Sequence, residues 1–196
     1  MPTNPQRRAQ ILDAAIDLLV DVGIGGLTHR QVDDRAALPA GTTSNYFRTR
    51  LALLEATADR TAELHWQHVK ALQTLIAQPM TRDGLKMLLA QMISDPDEQF
   101  RRRTLARFEL FMEGTRRAEL QPFLHELQAS AMKSASLILE AAGFTPSPEQ
   151  VGELSRLLNG LVFSNLTISR DAPGAEHPVD TIDRLLVAVL EARAAR

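Results

Sequence analysis

Helical spacing of the apolar residues is the feature of this sequence that most restricts its fold. In the first long segment, Ile11, Ala15 and Leu18 follow one another at intervals that place them on one face of an α-helix. No window alternates with the period that a half-buried β-strand shows. Because almost every long segment repeats the helical spacing, the sequence predicts an all-α fold of about nine helices.

Composition narrows the class of protein further. The chain has 196 residues, of which 44% are apolar, so it is long enough to bury a core and too apolar to be disordered. It contains no cysteine, which excludes disulfides, iron–sulfur clusters and cysteine nucleophiles. No uncharged apolar run reaches the roughly 18 residues of a membrane span, and the N-terminal residues are too polar for a secretory signal. We therefore expect a cytoplasmic protein with no membrane partner.

Charge is unevenly distributed along the chain. The formal net charge is -2, so the chain as a whole is not a basic nucleic-acid binder. Residues 28–50, however, carry four Arg against two Asp. Any nucleic-acid contact is therefore expected in this local basic segment.

Two short helices joined by a turn are predicted in the same segment. Gly23 is a typical end for the first helix, Thr28 is a typical N-cap for the second, and Pro39 suits the turn before a third. This arrangement is a helix-turn-helix, in which the later helix presents small and polar side chains to DNA base edges.

The identities of individual residues in this segment carry information beyond the predicted positions of the helices. These residues are Gly26-Leu27-Thr28, Val32, Ala36-Ala37, Gly41-Thr42-Thr43-Ser44-Asn45-Tyr46-Phe47, Arg50 and Leu53-Leu54. The set resembles the DNA-binding domain of the TetR/AcrR family of transcriptional regulators over about residues 9–55. The resemblance implies a three-helix DNA-binding domain over residues 1–50 and a larger helical ligand-sensing and dimerisation domain over residues 51–196.

The resemblance also implies individual DNA contacts. Thr28 matches a position that grips a phosphate, and Arg50 stands where the family usually has a phosphate-binding Lys. Three roles stay open for Arg30, namely a phosphate contact, a guanine contact or an ion pair with Asp33 or Asp34. Ser44 replaces a common aromatic residue, and Pro39 stands where a capping Ser or Thr is frequent. The predicted DNA-binding residues are Thr28, His29, Arg30, Ala40, Gly41, Thr42, Thr43, Ser44, Asn45, Tyr46 and Arg50.

Candidates for a ligand pocket lie in the remaining sequence. Aromatic and methionine side chains suit an adaptable apolar cavity, although such stripes more often form a core. The predicted ligand-binding residues are His65, Trp66, Phe100, Arg103, Phe108, Phe111, Met112 and Phe163. Arg103 or Arg107 would suit an anionic ligand group. His65 and His68 have the spacing of a metal pair, but the sequence places no third ligand, so we predict no metal and no other cofactor.

The last two long helices are unusually apolar. A two-fold four-helix interface between copies of the chain would hide their apolar faces, and the resemblance implies a homodimer. The alternative is that these faces form the core of the single chain. The predicted interface residues are Leu154, Leu158, Leu161, Val162, Leu185, Leu186 and Val189. A loop is predicted between these helices at residues 170–177.

These features predict a function in transcription. The resemblance implies a ligand-responsive, sequence-specific regulator, and most specifically a repressor that a small-molecule effector releases from a palindromic double-stranded DNA operator. We predict no enzymatic activity, because the chain has no Gly-rich phosphate loop, H-E-x-x-H motif or nucleophile elbow. The alternative is a helical protein–protein interaction module without specific DNA binding.

Overall fold

The fold is helical throughout the part of the chain that is described. The computed structural model describes residues 4–75, 80–94, 96–168 and 178–191, and within these ranges it contains nine α-helices and no β-strand. This confirms the predicted all-α class and helix number. The predicted loop at residues 170–177 lies outside the described residues. The helices are α1 (Pro5–Val22), α2 (His29–Arg35), α3 (Thr42–Tyr46), α4 (Arg50–Leu75), α5 (Arg82–Ser94), α6 (Glu98–Gly114), α7 (Gln121–Ala141), α8 (Pro148–Thr167) and α9 (Pro178–Leu186).

The helices form two compact units. The first contains the described residues up to Trp66 together with Gln99–Gln128, and the second contains Gln67–Glu98 and the described residues from Ala129 onward. The first unit therefore joins α1, α2, α3 and the larger part of α4 with most of α6 and the start of α7. This division describes packing, so the functional boundary at residue 50 stays a prediction. No helix in the described ranges is long and apolar enough to cross a membrane.

The first unit is built around the apolar face of α1. The Asn4 side chain caps this helix by accepting hydrogen bonds from the backbone N–H groups of Gln6 (3.0 Å) and Arg7 (3.2 Å). Gly23 ends it with a φ of 69°, which a residue without a Cβ adopts at little cost. The helix buries its apolar side against the other elements of the unit, and each fully buried Leu or Ile contributes roughly 1.5–3 kcal/mol. Fully buried side chains of this unit are Ile11, Leu12, Leu19, Leu27, Leu53, Leu54, Leu110 and Leu120.

The second unit packs α5 with α8 and α9. Ser147 and Gln150 form a capping box at the start of α8, in which each side chain bonds the other residue's backbone N–H. The Gln150 amide also donates to the carbonyl of Val189 (3.0 Å), and Lys86 on α5 forms an ion pair with Asp183 on α9 (2.6 Å). The buried apolar residues here are Leu85, Leu89, Ile93, Val151, Leu154, Ile182 and Leu186.

Candidate nucleic-acid interface

A tight corner joins α2 to α3. Thr28 is the N-cap of α2, and its hydroxyl oxygen accepts the backbone N–H of Gln31 (3.2 Å) and donates to the Gln31 side chain (3.1 Å). Gly41 has a φ of 87° immediately before α3, a left-handed conformation that favours glycine. The predicted N-cap and the predicted position of the recognition helix are therefore both present in the structure.

A buried carboxylate fixes the angle of this corner. Asp33 is 2% exposed, and it lies near the end of α2. Its Oδ2 atom accepts the backbone N–H of Gly41 (2.8 Å). Its Oδ1 atom accepts both the backbone N–H (2.7 Å) and the hydroxyl (2.6 Å) of Thr43. Three charge-assisted hydrogen bonds thus attach the first turn of α3 to α2, and they satisfy a charge that would be costly to bury alone.

The Asp33 contacts correct one predicted DNA contact. The Thr43 side chain is 0% exposed and its hydroxyl is directed at Asp33, so it cannot reach a base edge. Thr43 positions the recognition helix instead of reading DNA. This role of Asp33 was not predicted from the sequence, although Asp is a typical acceptor for backbone N–H groups at the start of a helix.

Arg50 also has an internal role that the sequence did not reveal. Its Nε donates to the carbonyl of Leu27 (3.0 Å), and a terminal guanidinium nitrogen donates to the carbonyl of Ile24. The side chain is half-buried and ties the start of α4 to the turn that precedes α2. These two bonds use two of the five N–H donors of the guanidinium, so the predicted phosphate contact stays a prediction.

His29 is directed back toward the end of α3. Its Nε2 atom lies 2.7 Å from the carbonyl oxygen of Phe47, and a carbonyl only accepts hydrogen bonds, so Nε2 carries the proton. This bond is a second link between α2 and the end of α3, besides those of Asp33. Only Nδ1 of the ring is left for a DNA contact.

The remaining predicted contacts lie at the surface. Thr42 and Ser44 are half-buried and donate to the carbonyls of Pro39 (2.6 Å) and Gly41 (2.9 Å), while their oxygen lone pairs stay available as acceptors. Tyr46 is half-buried and packs against the core of the first unit. The exposed predicted residues are Thr28, Arg30, Ala40, Gly41 and Asn45.

Two cations next to the corner were not among the predicted contacts. Arg48 follows α3 and is exposed. Arg8 on α1 is half-buried with its guanidinium 5.6 Å from the centre of the Phe47 ring, a cation–π contact that holds it beside the end of α3. The sequence signal for Arg48 was its place directly after the recognition helix.

The predicted ligand residues are not all enclosed. In the first unit Trp66 donates its indole N–H to Glu126 (2.6 Å), and Phe111 packs against the core, whereas Met112 is 54% exposed. In the second unit Phe163 is 48% exposed. The half-buried members of the set are His65, Trp66, Phe100, Arg103, Phe108 and Phe111. Their role in ligand binding stays a prediction. In the described ranges no three His, Asp or Glu side chains are grouped to hold a metal ion.

Arg107 on α6 carries a buried cation. Its Nε atom is enclosed by protein, and its guanidinium lies 5.6 Å from the centre of the Phe108 ring. Burial lowers the pKa of Arg107 from its ordinary value to about 10, because water no longer stabilises the charge. The group is therefore still charged at neutral pH, at a cost in folding free energy.

The predicted interface residues divide into two groups. Leu154, Val162, Leu186 and Val189 are buried within the single chain, so hiding them requires no partner. Leu158, Leu161 and Leu185 are half-buried. The argument that these apolar faces need a second copy therefore does not hold for the first group. Among the described residues of the same stretch, the large apolar side chains that are exposed are Leu157, Phe163, Ile168 and Val187.

Comparison with known proteins identifies the family. A family model described as the tetracyclin repressor-like, C-terminal domain matches residues 80–192, more than half of the chain. The chain belongs to the TetR family of transcriptional regulators. A stretch of 54 residues of this TetR-family protein is 45% identical to the HTH-type transcriptional regulator BetI of Cronobacter sakazakii (strain ATCC BAA-894). That match covers 28% of this chain and only 27% of the length of BetI.

Solved structures of TetR-like proteins match nearly the whole chain. A member of the TetR family from Streptomyces coelicolor A3 is 26% identical with a TM-score of 0.65, and the match covers 92% of this chain and 98% of that one. The multidrug binding protein EbrR, solved in complex with ethidium, is 25% identical with a TM-score of 0.66. That match covers 93% of this chain and 99% of EbrR. The similarity therefore extends through both compact units.

Proposed function

We propose that this TetR-family protein is a cytoplasmic repressor that binds a palindromic operator as a homodimer and is released by a small-molecule effector. The observation that carries the proposal is the corner of α2 and α3. Asp33 attaches α3 to α2 from inside, and Arg30, Asn45 and Arg48 of this region are exposed to solvent. Arg and Asn are the side chains that most often read guanine and adenine in the major groove, and Arg also binds phosphates.

Selection from random duplex DNA tests this proposal. The purified protein is expected to enrich an inverted repeat at near-physiological salt, with half-site centres about one helical turn, roughly 34–36 Å, or a multiple of it apart. Binding without enrichment that disappears on modest salt addition would contradict specific recognition. That result would favour the alternative that the chain is a helical protein–protein interaction module without specific DNA binding.

The Arg48 side chain provides a prediction about the electrostatic part of binding. Arg48→Ala is expected to weaken binding to every duplex several-fold and to reduce the slope of log K against log salt by about one, because one phosphate contact is lost. Affinity measured across a salt series checks this. Arg116→Ala removes the same charge from an exposed position at the end of α6 and is the matched control. Equal slopes for both variants would contradict the assignment.

A related protein supports the part of the proposal that concerns binding of a small-molecule effector. The related protein EbrR has been solved with ethidium, and also with imidazole, so a protein of this fold binds small molecules. In this chain we assign effector binding to the domain predicted over residues 51–196. Arg107 is the candidate anchor for an anionic group, since a cation already held in a low-dielectric site attracts an anion more strongly than an exposed cation does.

A further inference from the structure

The imidazole ring of His29 is held by the protein through one nitrogen only. Its Nε2–H donates to the carbonyl oxygen of Phe47 at 2.7 Å, so in the neutral ring Nδ1 carries a lone pair and no proton. The side chain is half-buried, and within the described ranges Nδ1 has no hydrogen-bond partner. The neutral ring therefore offers DNA an acceptor and no donor.

The lone pair on Nδ1 restricts what His29 can bind on a duplex. Phosphate oxygens only accept hydrogen bonds, so a neutral ring would meet a phosphate with one lone pair against another. The donors that B-DNA shows in its major groove are the amino groups of adenine and cytosine, on the base edges of a groove about 8.5 Å deep. Protonation of Nδ1 reverses this preference, because an imidazolium donates from both nitrogens and carries a positive charge.

The anchored position of the ring favours a phosphate over a base edge. Nδ1 is the ring nitrogen nearer to the main chain, and the Nε2 bond to Phe47 keeps the ring back at the end of α3. A contact atom with so short a reach suits the phosphates, which line the rim of the groove. Phosphates and sugars are also the partners of half to two-thirds of protein–DNA hydrogen bonds.

Three arginines near His29 carry charges that no carboxylate balances. Arg30 is the next residue of α2, Arg48 comes directly after Phe47, and Arg8 of α1 lies over the Phe47 ring. In the part of the chain that is described, none of the three forms an ion pair with a carboxylate. Such a surface attracts phosphates, and the negative charge of a phosphate stabilises a protonated ring beside it.

The acidic groups of the corner are not bonded to Nδ1. Asp33 is one turn further along α2, but it is 2% exposed and both its oxygens accept hydrogen bonds from α3. Asp34 is exposed and forms no bond with the ring. The other ionisable groups of the elements that meet here are Arg35, which pairs with Asp21, Tyr46, which packs against the core, and Arg50, which donates to backbone carbonyls. A phosphate is therefore the first negative charge to contact Nδ1 when DNA binds.

We propose that His29 binds an operator phosphate through Nδ1 as an imidazolium, so that each protomer takes up a proton when it binds DNA. Nε2 keeps its bond to Phe47 in both protonation states, so the corner does not have to rearrange. Because the DNA-bound state holds the additional proton, affinity increases as pH falls. This inference rests on the proposed function, since it specifies how one predicted residue of the DNA-binding surface contacts the operator.

The pH dependence of operator affinity tests this contact in the full chain. Histidine side chains change their charge between about pH 5 and 8, so affinity should rise about three- to tenfold for each bound protomer between pH 8 and pH 6. The slope of log K against log salt should be steeper at pH 6, by up to about one per protomer, because one more phosphate is neutralised. Titration calorimetry in buffers of different ionisation enthalpy should show an uptake of roughly a third to a half of a proton per protomer near the midpoint of the rise.

His29→Gln removes the titration but not the internal hydrogen bond. The Gln amide can donate to the carbonyl of Phe47 and does not titrate, so affinity should stay within about twofold between pH 8 and pH 6. His125→Gln removes an exposed histidine of α7 and is the matched control, which should keep the full rise. Thermal unfolding of each variant at both pH values separates a loss of binding from a loss of folding.

The possible outcomes distinguish this contact from its alternatives and from failure of the proposed function. The same pH dependence in His29→Gln and in the original chain would overturn the contact. Affinity that decreases as pH falls would also overturn it, and would indicate that neutral Nδ1 accepts a bond from an adenine or cytosine amino group. If the original chain selects no operator, the proposed function fails. Proton uptake is then measured on an arbitrary duplex at low salt, which presents the same phosphates, and no uptake there would overturn the His29 contact as well.

Discussion

Asp33→Asn is expected to destabilise the first unit by about 2–3 kcal/mol and to abolish specific DNA binding. The substitution preserves size but replaces one accepting oxygen with an N–H₂ group. The backbone N–H groups of Gly41 and Thr43 bind different oxygens of the Asp33 carboxylate. In either orientation of the Asn side chain, its N–H₂ group would therefore face one of these backbone N–H donors. At a residue that is 2% exposed, water cannot relieve this conflict.

Thermal unfolding and operator binding measure this effect. A loss of this size lowers the midpoint by roughly 4–12 °C in a chain of this length. Asp34→Asn makes the same change at the next residue, which is exposed, and is the matched control. Thr43→Val, which removes only the hydroxyl donor, should give a smaller loss of about 1 kcal/mol. If Asp33→Asn and Asp34→Asn unfold at the same temperature, the role assigned to Asp33 is wrong.

Arg50→Met is expected to cost about 2 kcal/mol of stability and to weaken DNA binding only through that loss. Met keeps most of the apolar stem but cannot donate to the carbonyls of Ile24 and Leu27, which would then lack this partner. The salt dependence of DNA binding by the folded fraction should stay unchanged, because no phosphate contact disappears.

Arg50→Lys distinguishes this internal role from a phosphate contact. Lys keeps the positive charge and would preserve a phosphate contact, but a single ammonium group cannot reproduce the paired geometry of the guanidinium. We expect it to lose about 1 kcal/mol of stability in thermal unfolding. A stable Arg50→Met variant with a salt slope reduced by about one would instead support the phosphate contact that the sequence predicted.

The sequence predicted the elements better than it predicted the direction of single side chains. The spacing of Ile11, Ala15 and Leu18 and the cap at Thr28 depend on neighbours in the chain, so periodicity and local chemistry were enough to place them. Thr43 and Arg50 are polar residues in a short segment, where contact with DNA and contact with the protein use the same donors. Only the path of the turn between α2 and α3, which brings Asp33 to Gly41, separates these alternatives.

The apolar residues of α8 illustrate a related limit. An amphipathic pattern reports that a face is hidden from water, but it does not report what hides it. Leu154 and Val162 are covered by the chain itself, while Leu157, on the same helix, is exposed. The number of neighbouring helices around each residue decides this, and it depends on tertiary packing that no local spacing encodes.

The way Asp33 holds α3 has a consequence for how such a protein acquires new targets. Two of its three hydrogen bonds go to backbone N–H groups, which every residue except proline supplies. The exposed side chains of Ala40 and Asn45 take no part in this attachment. Their identity is therefore free to drift under selection for a different operator, while the scaffold that aims them stays the same. Retargeting by design would follow the same route, varying the outward positions and leaving Asp33, Gly41 and Thr43 untouched.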